Sequence, residues 1–283
     1  MQQPTDTEFQ LLREFLSRRT GIEVSEPKRY LFATRLADLL VAEKCQSFSD
    51  LLLKIGSGDE AVERATIEAM TTHESGFYRD PHHFETLFGT LLPALVERRV
   101  QGGDSKPIRL LSAGCGYGQE AYSMALGLQR WEEGGGGHGP GVSITGIDLS
   151  VRALERARKG TYTELELGPH LPEGDRARHF VFASEMWQLS TTIRDRVGFQ
   201  AVNLTKSLAG LGSFDVIFCR NVIIYFAPPD KLAVLEQLRG VLAPQGALFL
   251  GSSESMYGID VEFVPRTRGR STYYERPSQA RPP

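Results

Sequence analysis

The chain has little cysteine, no long apolar run and no surplus of positive charge, and each shortage removes a class of function. Cys45, Cys115 and Cys219 are odd in number and widely spaced, with no Cys-x-x-Cys pair, so they read as reduced thiols rather than a disulfide framework or a redox site. No metal is expected. No window approaches the ~18 apolar residues of a spanning helix, and the opening residues MQQPTDTEFQ lack a basic stretch followed by an apolar one. Direct membrane insertion is therefore not expected, and the cytoplasm is the expected location. A formal net charge of -3 argues against nucleic acid as a partner, so any basic surface must be local. A convincing His/Asp or Ser/His relay is also lacking.

What is present is ordinary globular composition, 41% hydrophobic and 24% charged, over 283 residues, enough for one large α/β domain and a smaller one. Over residues 7–95 apolar side chains recur at three- and four-residue steps, as in Phe9, Leu12, Phe15 and Leu16, then Leu31, Phe32, Leu36, Leu39 and Leu40. This predicts an N-terminal helical domain and linker helix over 1–95. Gly21 and Pro27 punctuate its first two helices, and Ser49 with Asp50 is expected to open a third around Leu51.

After the polar stretch 101–106, short apolar runs alternate with helical segments. The runs are Ile108–Ala113, Val142–Asp148, Phe214–Cys219 and 247–250, with helical patterns over 120–131, 151–158 and 230–242. Such alternation predicts a parallel, doubly wound sheet occupying 96–283. Residues 132–141, with four consecutive glycines, read as a tolerated surface connector, and 160–197 break the alternation. Because the latter contain Phe180-Val181-Phe182 and Met186-Trp187-Gln188-Leu189, a small inserted antiparallel sheet is expected there.

The run Ile108–Ala113 leads into Gly114-Cys115-Gly116-Tyr117-Gly118-Gln119-Glu120 and then a helix. Glycines at such a turn let backbone approach a ligand beyond the carboxyl ends of the strands. Gln119 stands where the dinucleotide fingerprint would place its third glycine, which points away from a nicotinamide cofactor. The second run ends at Asp148, a carboxylate able to accept both hydroxyl hydrogens of a ribose; capping the next helix is the other use for it, although Ser150 is the better cap candidate.

Two further segments carry most information: Thr71-Thr72-His73-Glu74-Ser75-Gly76-Phe77-Tyr78-Arg79-Asp80, and Cys219-Arg220-Asn221-Val222-Ile223-Ile224-Tyr225-Phe226 at the end of the third run. With the glycine turn, Leu154-Glu155-Arg156-Ala157-Arg158-Lys159-Gly160 and a closing Ser271-Thr272-Tyr273-Tyr274, they resemble, in order and over nearly the whole chain, the chemotaxis receptor glutamate methyltransferase (CheR) family. The resemblance implies a Rossmann-like S-adenosylmethionine-dependent methyltransferase sheet with an N-terminal all-helical domain and a small inserted β subdomain. It implies transfer of a methyl group from S-adenosylmethionine to glutamate side chains of a receptor's cytoplasmic helical domain, leaving S-adenosylhomocysteine. Cofactor-site positions then fall on His73, Ser75, Arg79, Gly114, Glu120, Asp148, Asn203, Leu204, Arg220 and Asn221. His73 departs from the family's Asn, although an imidazole can still offer one donor and one acceptor.

A glutamate with a pKa of ~4.3 is already ionised, so attack on a sulfonium methyl requires no general base, and positioning should dominate. Arg79 and Tyr225 are the candidates for orienting the acceptor, Tyr225 having packing in a strand-to-helix loop as its other reading. Arg18, Arg19, Lys28, Arg29 and Arg35 offer a local basic surface for Glu-rich receptor helices, and the inserted sheet is a further docking candidate. A monomer is expected, as no heptad seam is evident. Alternatives are a methyltransferase on another acceptor and a non-catalytic sensor of the same cofactor.

Overall fold

Thr5 starts the first helix, α1 (Asp6–Thr20), by a reciprocal cap in which its hydroxyl accepts from the Glu8 amide while Glu8 accepts from the Thr5 amide at 2.8 Å. Gly21, at φ 75°, ends it in the left-handed conformation that a side chain would resist. The computed structural model describes residues 3–277. Helices α2 (Tyr30–Arg35), α3 (Ala37–Ala42), α4 (Phe48–Gly56) and α5 (Glu60–Met70) follow. Their apolar faces meet in one cluster that includes Phe9, Leu12, Phe32, Leu36, Phe48 and Leu51. Glu8 also accepts the Ser49 amide and hydroxyl, each at 2.8 Å, joining α1 to the start of α4; despite burial, these bonds hold its carboxyl below the ordinary value. The α4 cap is Ser47, paired with Asp50, two residues before the expected Ser49; both serines precede apolar residues, and periodicity alone does not separate them.

The chain divides into two compact units, one of residues 1–72 with 225–231, the other of 73–224 with 232–283, the last six of which lie outside the described residues. The division falls at residue 72 rather than at the expected 95. The segment with α6 (Pro81–Thr86) and α7 (Leu92–Gln101) buries Phe84, Leu87, Leu92 and Leu95 in the core of the larger unit. A short strand contact between Ile22 and Phe226, with the Glu23 amide donating to the Tyr225 carbonyl at 2.8 Å, ties residues 225–231 into the helical unit.

In the larger unit, β1 (Ile108–Ala113) leads to α8 (Gln119–Trp131), β2 (Val142–Asp148) and α9 (Val151–Lys159). Residues 132–136 of the expected connector prolong α8 as a wider turn before the chain enters β2. An insert holds β3 (Thr161–Tyr162), α10 (Glu164–Leu167), α11 (Glu173–His179), β4 (Phe180–Ala183), β5 (Met186–Leu189) and α12 (Thr191–Arg194). Its strands form the expected antiparallel sheet, in the order β3-β5-β4. Then come β6 (Val197–Ala201), β7 (Phe214–Cys219), α13 (Pro228–Val241), β8 (Leu242–Leu250), β9 (Val264–Arg268) and β10 (Ser271–Glu275).

The main sheet has the order β6-β2-β1-β7-β8-β10-β9, parallel from β6 to β8 and antiparallel at β10 and β9. β7 is buried at every residue, as a central parallel strand covered on both faces must be. The chain starts in the middle at β1, winds outward through β2 to β6, then returns to β7 on the other side. The reversal between β1 and β7 is where such sheets open a ligand crevice beyond their carboxyl ends.

Candidate functional site

The turn after β1 is shaped by three glycines with positive φ, of which Gly114 (77°) shows the tightest constraint. A Cβ at Gly114 would lie 2.4 Å from Val222 Cγ2, in the turn after β7, so the turns beyond these neighbouring strands approach each other only because residue 114 is glycine. At Gly116 the added Cβ would face the His73 ring at 3.7 Å, across ordinary contact distance.

Asp148 ends β2, nearly buried. Its Oδ2 accepts the Gly116 amide at 2.8 Å and its Oδ1 the Ser150 amide at 2.9 Å, while Ser150 itself caps α9 through the Ala153 amide. The expectation that Ser150 is the cap is met. His73 Nε2 stands 3.7 Å from Asp148 Oδ1, too far for a hydrogen bond, and is buried with no partner. Its ring lies 5.1 Å from that of Tyr117. The Val202 amide donates to the Asp148 carbonyl at 2.9 Å, bringing the following Asn203 and Leu204 beside this strand end; Leu204 is buried, and Asn203 Oδ1 accepts from the amide and hydroxyl of Thr205.

The end of β7 is organised differently. Arg220 is buried and donates to Glu120 Oε2 at 2.8 Å, to Asp80 Oδ2 at 2.6 Å and to the Arg79 carbonyl at 2.5 Å. The ion pairs that Arg220 makes are therefore buried ones. Glu120, at the start of α8, also accepts the Ser112 hydroxyl at 2.7 Å. Burial pushes the Glu120 carboxyl above its ordinary value, against the opposing pull of Arg220 and Ser112. Asp80 goes the other way: although burial would raise it, Arg220 and then Ser252 hold it below the usual carboxylate range. His83, on α6, meets Ser271 Oγ at 2.6 Å; burial, reinforced by the charge of Arg220, lowers its pKa to about 3, so it is a neutral ring at physiological pH.

Asn221 follows with φ 58°, and its amide donates to Glu254 Oε2 at 2.7 Å. Arg79 is exposed, its guanidinium donating to the Glu74 carbonyl at 3.3 Å, and the Ser75 carbonyl accepts from Gln119 Nε2 at 3.5 Å. The larger unit thus gathers His73, Gly114 and Asp148 at one strand end and Arg79, Glu120, Arg220 and Asn221 at the next. Tyr225 falls in the helical unit. Asp80, Ser112 and Glu254 were not singled out from the sequence. A polar run directly after a buried strand, Gly251-Ser252-Ser253-Glu254, was the available signal.

Residues 7–71 match the family description "CheR methyltransferase, all-alpha domain" and residues 73–269 match "CheR methyltransferase, SAM binding domain". The chain belongs to the CheR methyltransferase family. Chemotaxis protein methyltransferase 1 of Pseudomonas aeruginosa is 36% identical over 90% of this chain and 92% of its own length. Chemotaxis protein methyltransferase of Vibrio parahaemolyticus is 37% identical over 92% of this chain and 93% of its own. The probable biofilm formation methyltransferase WspC of Pseudomonas aeruginosa is 34% identical over 80% of this chain and 53% of that protein.

As a CheR methyltransferase the chain takes S-adenosylmethionine as cofactor, and the residues present fit that molecule. The unpartnered, buried His73 Nε2 and the Asp148 carboxylate converge beside the glycine turn, where a nucleoside needs donors and acceptors. The Rossmann-like sheet, helical N-terminal domain and inserted β subdomain expected from the sequence are those observed. Among the described residues no helix is long and apolar enough to cross a membrane.

Proposed function

We propose that this CheR methyltransferase esterifies glutamate side chains on the cytoplasmic helical domain of chemotaxis-type receptors, leaving S-adenosylhomocysteine and adjusting receptor signalling. The observation that carries this reading is the match of both family domains in order, together with relatives named as chemotaxis protein methyltransferases that align over nine-tenths of either chain. In this reading the enzyme works in the cytoplasm as a monomer, without nucleic acid and without entering the membrane.

The bound cofactor supplies an electrophilic methyl group on a sulfonium. The chain's own residues bind and position. Asp148 accepts the ribose hydroxyls; Asn203 and Leu204, following β6, hold the base. His73, Ser75 and the Gly114 turn line the nucleoside side, while Glu120, Arg220 and Asn221 support the amino-acid side. Arg79 also lines the cofactor site, and its exposed guanidinium orients the incoming carboxylate; Tyr225, in the helical unit, is the second candidate for that task. The contact from Arg79 must be modest, because a tight bidentate pair would stabilise the ground-state carboxylate more than the partly neutralised transition state. No side chain has to remove a proton, since the acceptor is already ionised. His83, neutral at physiological pH, has no acid–base part in this scheme.

Receptor docking by the helical unit draws on fewer cations than the sequence offers. Arg35 donates to the Met70 carbonyl at 2.8 Å, Arg19 pairs with Glu63 at 2.8 Å, and Arg29 with Asp6 at 2.7 Å. Arg18 and Lys28 are exposed and are the better candidates.

The test is methyl-labelled S-adenosylmethionine incubated with the protein and receptor-containing membranes from its own source, with Arg79→Ala alongside. Volatile counts released by alkali, and lost in the variant, are expected from a glutamate methyl ester. Their absence with receptors demonstrably present would overturn the reading. A second reading, transfer to another acceptor, draws on the identity with WspC, and alkali-stable label would favour it.

A further inference from the structure

Among the described residues the Glu254 carboxylate accepts hydrogen bonds from backbone amides alone, yet it is the most heavily used acceptor at the strand ends. Oε2 accepts the amides of Asn221 and Gly251, each at 2.7 Å, and Oε1 accepts the amides of Val222 at 3.0 Å and Ile224 at 3.2 Å. Three of these four donors belong to the turn after β7, whose first residue, Asn221, sits at φ 58°, a conformation that most side chains resist. Successive backbone amides curled in this way form a concavity for an anion. Here the anion is a side chain from the neighbouring turn, which closes on itself through the Glu254 amide and the Gly251 carbonyl at 2.8 Å.

Gly251 is part of the same device. A Cβ there would fall 2.8 Å from Glu254 Oε2 and 3.0 Å from the Asn221 amide nitrogen, so only glycine leaves room for the clamp. Ser252, one residue on, helps to hold the carboxyl of Asp80, the partner of Arg220, below its ordinary value. One short turn after β8 therefore holds the turn after β7 through its backbone and lies beside the ion-pair partner of Arg220.

We propose that Glu254 is a positioning residue for methyl transfer: by clamping the backbone of 221–224 it fixes where Arg220 and Asn221 stand toward the cofactor. The inference rests on the cofactor-side roles given above. It makes an unusual demand on the side chain. Glutamine is no substitute, because in either orientation its NH2 would face two amide donors in place of an acceptor oxygen. Aspartate keeps the charge but is one methylene short.

The experiment compares Glu254→Gln, Glu254→Asp, Gly251→Ala and the Glu254→Gln/Gly251→Ala double variant in calorimetric titration with S-adenosylhomocysteine and in receptor methylation, with thermal melts as controls. Losing hydrogen bonds to a charged group should weaken S-adenosylhomocysteine binding about tenfold in Glu254→Gln and in Gly251→Ala, with less loss in Glu254→Asp. In methylation kcat should fall by about as much while KM for receptor stays within about threefold, a split that general loosening of the fold would not produce. The double variant should be little worse than either single one, because both open one clamp. Folded single variants with wild-type affinity and kcat, or losses that multiply in the double variant, would overturn the proposal. If the wild-type chain binds S-adenosylhomocysteine but methylates no receptor, the acceptor assignment fails on its own, and the titrations alone decide the clamp.

Discussion

The strand ends of β1 and β2 and the end of β7 lie side by side in one sheet, yet they use their polar groups in opposite ways. At the first, capacity is left over: His73 Nε2 is buried without a partner and Asp148 accepts two amides with room on its oxygens for more. At the second, most of the capacity is used: Arg220 has three acceptors, with its Nε alone left buried and unpartnered, and Glu254 has four donors. Buried polar groups normally find partners within the protein, so the end with most capacity unused is where a ligand is expected to complete the set, and the end with most of it used is where the protein holds itself still. The first end should therefore answer mutation chiefly through cofactor affinity, the second through stability and geometry.

The largest effect should come from Arg220→Ala. It leaves Glu120 and Asp80 facing each other without their shared cation, and removing one member of a buried ionic set typically destabilises by about 3–5 kcal/mol. Urea unfolding should show a loss of that size; a loss under about 1 kcal/mol would mean that the second end is not the self-held structure described. Gly114→Ala sits on the boundary between the two. The added methyl meets Val222 in a left-handed turn, and overpacking of this kind costs about 1–3 kcal/mol, so both melting temperature and S-adenosylhomocysteine affinity should fall. Unchanged affinity with reduced stability would separate the glycine turn from cofactor binding.

Asp80→Asn should have the smallest effect and a particular sign. Arg220 holds the Asp80 carboxyl below its ordinary value, so its stabilisation is present above the unfolded pKa, about 4, and is lost as pH falls through the folded one. Glu120, raised by burial, acts oppositely, its ionised form being a cost at neutral pH that acid relieves. Melting temperature followed from pH 7 downward should thus decline less steeply below about pH 4 in Asp80→Asn than in the wild type. An identical profile would remove Asp80 from the account of acid stability.

Much of this was legible from residue order. The strands Ile108–Ala113, Val142–Asp148 and Phe214–Cys219 were read with the boundaries that the structure shows, because buried parallel strands are continuous apolar runs bounded by turn residues. The insert was visible as broken alternation with paired aromatic runs. β6, Val-Gly-Phe-Gln-Ala, was not, since the alternation of Val197, Phe199 and Ala201 with Gly198 and Gln200 is too short and too weakly apolar to stand out. The helical unit was overextended because α6 and α7 have the same periodicity as α1 to α5; which core a helix face joins is a tertiary choice. Structural positions were legible where backbone geometry demands a residue type, as at Gly114, or where a carboxylate ends a strand, as at Asp148. The roles of Asp80 and Glu254 depend on turns from distant parts of the chain meeting, and spacing cannot carry that.

The measurement that bears most directly on the contrast between the two ends is calorimetric titration of Asp148→Asn with S-adenosylhomocysteine, beside the wild type and with melts of both. The variant keeps one acceptor oxygen and loses the charge, so affinity should fall by about tenfold or more. Both proteins should melt within a few degrees of each other. Equal affinity for the two, or a loss explained by unfolding of the variant, would contradict the claim that the open end of β2 is where the cofactor is held.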